Sequence, residues 1–134
     1  MLQLLTLYLS TALVFLGADA VFLKNVMRPV FERHIGDWLL DEFRILPAAV
    51  FYLFYIAGVL VFVSVPALAG GSLFAVAAKG ALLGALAYGT FEFTSYAVLE
   101  RWSAEMVIVD VAWGAVVTGL AAVAGVIITR AIHG

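Results

Sequence analysis

Residues 45–68 read ILPAAVFYLFYIAGVLVFVSVPAL, a run of 24 positions without a charged side chain. A helix needs about 20 mostly apolar residues to cross the ~30 Å hydrocarbon core of a bilayer. This stretch, Ile45 to Leu68, meets that length by itself. A membrane β-barrel would require strict alternation of apolar and polar positions, which a continuous apolar run excludes.

Three further stretches read the same way on either side of it. Leu4 to Leu23 carries one charge, Asp19. Leu73 to Leu99 contains Lys79 and Glu92, and Met106 to Ile132 has Asp110 and Arg130 near its ends. The fold class expected is therefore all-α: four transmembrane helices in a single domain over residues 1–134. The connections near Ala69–Ser72 and Glu100–Glu105 are short, so consecutive spans should be antiparallel neighbours. Leu4–Gly17 followed by Ala18-Asp19-Ala20 superficially resembles a cleavable signal sequence. It lacks the Lys or Arg that normally precedes one, so it is read as a retained first span.

Composition supports a lipid-facing surface. Hydrophobic residues make up 66% of the 134-residue chain and charged residues 12%, against roughly 45–50% and about 25% in soluble domains. With a net charge of −2 and no dense basic patch, nucleic acid is not an expected partner. The absence of cysteine removes disulfides, thiolate metal sites and cysteine nucleophiles together. Only His34 and His133 could supply imidazole, so neither a metal site nor a cofactor is expected.

Between the first two spans lies the one long polar stretch, Lys24 to Arg44. Met27, Val30, Phe31, Ile35, Trp38 and Leu39 recur there at helical spacing, with Arg28, Glu32, Arg33, Asp37 and Asp41 between them. The pattern predicts a short amphipathic helix in the headgroup region, anchored by Trp38, with Pro29 in its first turn and Gly36 as a breaker. Lys24, Arg28, Arg33, Arg44 and Arg101 share one side of the four-span topology, opposite both termini. Cytoplasmic loops are enriched in Lys and Arg, so both termini are expected outside the cytoplasm of a bacterial inner membrane.

The depth of the polar residues is the feature that bears on function. Asp19 near the end of span one, Glu92 two turns before the end of span three, and Asp110 one turn into span four reach similar depth because the spans alternate in direction. Tyr52 and Tyr55 of span two lie at about that depth, with Thr90, Thr94, Ser95 and Trp113 nearby. Helical spacing groups Gly84, Tyr88, Glu92 and Ser95 on one face, Asp110, Trp113, Gly114 and Thr118 on another, and Tyr8, Ala12, Phe15 and Asp19 on a third. A charge at the bilayer centre costs at least ~2.5–3.5 kcal/mol, so an acid inside a span is by default a candidate for function. The candidate ligand-binding or proton-exchanging residues are Glu92, Asp110, Asp19, Tyr52, Tyr55, Tyr88, Trp113 and Thr94. The reading expects them to share one cavity opening toward the side of Arg28 and Arg101, their charge offset by a proton, an arginine, tyrosine hydroxyls or water. The competing reading is that Asp19 and Asp110 simply reach water near the interface and that the aromatic residues form an ordinary interfacial belt. Gly80-Ala-Leu-Leu-Gly84 and the small-residue spacing from Ala115 through Gly119 to Gly125 serve close helix packing, within the bundle or in a homodimer.

With these residues in view, the chain resembles the domain of unknown function 2177 family of small bacterial membrane proteins. The resemblance rests on the segment from Pro47 to Gly58, on Gly80–Gly84 leading into Ala87-Tyr88-Gly89-Thr90-Phe91-Glu92-Phe93-Thr94, and on Val109-Asp110-Val111-Ala112-Trp113-Gly114. Where the family pattern has Tyr-Asp and Thr-Asn, this chain has Phe91-Glu92 and Thr94-Ser95, which keeps an acid with a longer reach and loses an amide. The resemblance implies a lipid context and carries no established activity.

No catalytic motif stands out, and whether the chain is an enzyme stays open. The leading expectation is a binding or accessory protein that holds a membrane lipid or small ligand in a polar intramembrane cavity, alone, as a homodimer or with a partner membrane protein. The alternatives are a lipid- or fatty-acid-modifying enzyme, or a subunit of one, with Glu92 or Asp110 as acid–base, and a proton-coupled transporter.

Overall fold

A computed structural model describes residues 1–41 and 44–134. In a bilayer every backbone polar group must be satisfied within the protein, which leaves helices for these apolar stretches. Four are long and apolar enough to cross a membrane: α1 (Leu2–Trp38), α2 (Ile45–Leu68), α3 (Leu73–Val98) and α4 (Ala104–His133). The last three match the expected spans to within two residues at each end. Their starts follow local chemistry. Ser72 Oγ accepts from the Ala75 N–H at 3.0 Å and Ser103 Oγ from the Met106 N–H at 3.2 Å, so each side chain caps a helix. Gly70 and Gly71 turn the chain ahead of Ser72 with φ of 133° and 116°, a region side chains rarely adopt.

The free-standing interfacial helix expected over 24–44 is not found. Residues 24–38 prolong α1, through a π-helical segment Leu23–Met27, an α-helical segment Arg28–Ile35 and a final 3-10 turn Gly36–Trp38. Positions 42–43 of that stretch lie outside the described residues. At about 1.5 Å per residue, α1 is far longer than the hydrocarbon core. Its amphipathic stripe is used as the sequence suggests, but against protein: Val30 and Ile35 are buried in a small cluster with Trp102, Met106 and Val107 at the start of α4. Ion pairs fasten the same junction. Arg33 donates to both Glu105 oxygens at 2.9 Å, and Arg101 donates to Asp37 at 2.6 and 3.1 Å while lying 4.8 Å from the Trp38 ring centre.

The two π segments have one cause. Arg28 N–H bonds to Leu23 O and Val65 N–H to Leu60 O, five residues back, and each of these residues precedes a proline, Pro29 or Pro66. A proline inside a helix offers no N–H and crowds the carbonyl four residues back. Widening the preceding turn relieves that crowding without ending the helix.

Packing is uneven. α4 is the central helix, burying Val117, Ala121, Ala122 and Val126 against α1, α2 and α3. Without a hydrophobic force between helices in lipid, close backbone approach at small residues supplies the attraction. A Cβ at Gly84 would strike the Gly114 backbone, and one at Gly125 would strike Thr11 Oγ1. The Gly80–Gly84 pair therefore serves the α3–α4 contact inside the bundle. In contrast, the first half of α2, Ile45–Val59, packs on α1, and the α2 backbone approaches α3 chiefly around Leu60–Ser64.

Candidate functional site

Asp19 is the hub. It sits on the buried face of α1 with Ala12 and Phe15 and is 8% exposed. Each of the other three helices sends it a donor: Tyr52 OH from α2 at 3.0 Å, Tyr88 OH from α3 at 3.4 Å and Trp113 Nε1 from α4 at 2.8 Å. No cation takes part. Three neutral donors onto an acceptor-only group offset the cost of holding a carboxylate away from water. Trp113 is fixed in turn by stacking on Phe22, with ring centres 4.2 Å apart and planes 6° from parallel. Tyr88 is held against Gly114, where a Cβ would collide with its ring.

Glu92 forms a second centre and is fully buried. Trp102 Nε1 donates to its Oε1 at 2.9 Å, while Oε2 has no hydrogen-bond partner. The Asp110 carboxyl interacts electrostatically with both Glu92 and Asp19. Asp110 thus stands between the two centres.

Beside them is a cavity of about 540 Å3, within the range of roughly 300–1,000 Å3 usual for small-ligand sites. Its polar pole is formed by Asp19, Asp110, Tyr52 and Tyr88, with Thr90 and Thr94 on the α3 side. The remaining walls are apolar: Phe22, Leu23, Met27 and Phe31 of α1, Phe51 of α2, and Ala87 and Phe91 of α3. Met27 and Leu23 belong to the π segment ahead of Pro29, so the proline-driven widening shapes this wall. Phe51, Thr90, Phe91 and Thr94 line the cavity and are also exposed. They stand on α2 and α3, and Leu23 of α1 is a further exposed lining residue, so the cavity opens sideways, chiefly between α2 and α3. Neither Arg28 nor Arg101 lines it, although Met27 and Phe31, which flank Arg28 in sequence, do.

Of the eight candidate residues, Asp19, Asp110, Tyr52, Tyr88 and Thr94 line the cavity, and Trp113 supports it through Asp19. Glu92 stands behind the wall, reaching the cavity through Asp110. Tyr55 is turned away, its hydroxyl 2.9 Å from Thr118 Oγ1, while its ring touches Phe15 and Tyr88. Sequence reasoning missed Trp102, the partner of Glu92, and the wall formed by Phe22, Met27 and Phe31. Met27 and Phe31 were visible as members of the amphipathic stripe, whereas Trp102 lies in a connection with no periodicity.

Four membrane-length helices around a buried acidic hub define a helical integral membrane protein with a polar centre inside the bundle. The family model described as predicted membrane protein (DUF2177) matches residues 4–127. The chain belongs to that family, as its Val109–Gly114 and Ala87–Thr94 motifs suggested. No curated protein and no solved structure matches it.

Proposed function

We propose that this protein binds an amphipathic membrane molecule, with the polar head at the Asp19–Asp110 pole and the apolar part leaving between α2 and α3. One observation carries the reading: the cavity of about 540 Å3 has aromatic and aliphatic walls, a carboxyl-rich end, and exposed lips on α2 and α3. A cavity meant for a water-soluble solute would need a path to one aqueous face. Native mass spectrometry of gently extracted protein tests it. A lipid should remain bound to wild-type protein and be lost when Ala87→Trp fills the cavity. Protein that carries no lipid in either form would end the reading.

A second reading is favoured by the interacting carboxyls of Glu92 and Asp110, Glu92 being fully buried. Two carboxyls in contact can pass a proton between them, so a proton-coupled transporter is the alternative. Proton-dependent flux into vesicles, abolished by Glu92→Gln, would support it over simple binding.

In either case we propose a bacterial cytoplasmic membrane with both termini outside, supported by the five Lys and Arg residues that flank the opposite ends of the spans: Lys24, Arg28, Arg33, Arg44 and Arg101. The cysteine-free chain makes the test direct. An impermeant thiol reagent should label Ser72→Cys and not Ser103→Cys in intact cells, and the reverse pattern would invert the topology.

A further inference from the structure

We infer that the head group held in this cavity carries a cationic amine, so that the bound molecule is an aminolipid rather than an anionic or purely hydroxylated one. The inference rests on the binding reading above and assigns the ligand its chemistry. The lining offers two carboxyls, Asp19 and Asp110, and no Lys, Arg or His. Among the described residues an anionic head group would find no cation there. Behind Asp110, the fully buried Glu92 keeps Oε2 without a hydrogen-bond partner. An ammonium, which offers donors and no acceptor, is the group complementary to a carboxyl-bearing end that has no cation of its own.

The walls point the same way. Phe22, Phe51 and Phe91 line the same cavity as the two carboxyls, together with Tyr52 and Tyr88. Aromatic faces beside a carboxylate attract primary and quaternary ammonium groups through the ring quadrupole, which favours them over a neutral hydroxyl. A bare divalent cation fits less well. Among the described residues, no three His, Cys, Asp or Glu side chains converge as metal ligands. The exposed lips on α2 and α3 open to the lipid-facing surface, so the amine arrives on a chain-bearing molecule through the bilayer rather than as a free solute.

The test uses the full chain in a non-ionic detergent, with phosphatidylethanolamine and phosphatidylglycerol of identical acyl chains titrated and read by native mass spectrometry. The amine lipid should bind about tenfold more tightly. Dodecylamine should displace it, whereas dodecanol and free ethanolamine should not. Asp110→Asn should bring the two lipids to near parity, weakening the amine lipid and easing the repulsion of phosphatidylglycerol. If both lipids bind wild-type protein equally, the amine inference fails and the lipid-binding reading survives. If neither binds, both fail. Displacement by free ethanolamine as effective as by dodecylamine overturns the lipid part. Should Asp110→Asn not fold, the dodecylamine and dodecanol comparison on wild-type protein still decides, and equal displacement by the two overturns the inference.

Discussion

α3 has two long sides that differ sharply. Toward α4 it presents Gly80 and Gly84, and the backbones meet so closely that Gly84 has no room for a Cβ beside Gly114. Toward the first half of α2 it faces aromatic side chains, and contact is made by rings such as Tyr55 and Tyr88, with centres 6.5 Å apart. Residue size distinguishes the two sides. In lipid, small residues close a seam and large ones prop it open, and the cavity lies along the propped seam.

Breaking the closed seam should have the largest effect. Gly84→Leu drives a side chain into the Gly114 backbone and should cost at least about 3 kcal/mol, leaving little monodisperse protein on gel filtration. Gly84→Ala with ordinary recovery and an unchanged melting temperature would contradict the close contact. Removing the hub comes next. Asp19→Ala strands the donors of Tyr52, Tyr88 and Trp113, and should cost about 2–3 kcal/mol in a denaturant titration. Asp19→Asn keeps an acceptor for Trp113 and should cost less.

A smaller effect is expected behind the cavity wall. Trp102→Phe removes the one hydrogen bond to Glu92 and should cost about 1–2 kcal/mol. In a double-mutant cycle with Glu92→Leu, which takes away the acceptor, the two losses should not add, because one contact is removed twice. Strict additivity would separate the two residues. The smallest effect should be at the open seam itself. Phe91 is exposed at the lip, so Phe91→Ala should change stability by less than about 0.5 kcal/mol. Lipid exchange measured by fluorescence should nevertheless become faster. A large loss of stability there would mean that the α2–α3 side is packed rather than propped.

The spans were legible because length and hydropathy are properties of one segment at a time. The depth of Asp19, Glu92 and Asp110 was legible for the same reason: rise along a helix converts position into height. Azimuth between helices is not written locally. Glu92, the deepest acid, reads as the leading residue of the site, yet three donors converge on Asp19, because only there do faces of α2, α3 and α4 meet. Trp102 could not be foreseen as the partner of Glu92. It lies beyond the end of α3 and folds back ten positions, outside any helical period. Pro29 and Gly36 read as boundaries of a separate helix. The chain absorbs Pro29 by widening one turn, and α1 continues because its apolar stripe finds Trp102, Met106 and Val107 to pack on.

The hub also has a history in time. A ribosome delivers Asp19 first, and its donors follow 33, 69 and 94 residues later in Tyr52, Tyr88 and Trp113. Until Trp113 is made the first span therefore carries a carboxyl that the nascent chain can satisfy at most in part, at an insertion cost of up to ~2.5–3.5 kcal/mol. The span must linger in the insertion machinery or sit with Asp19 near the headgroups until α4 is made. Assembly of this small bundle is thus postponed to the last helix, and a chain truncated before Trp113 leaves the quality-control proteases an unfinished polar end to recognise.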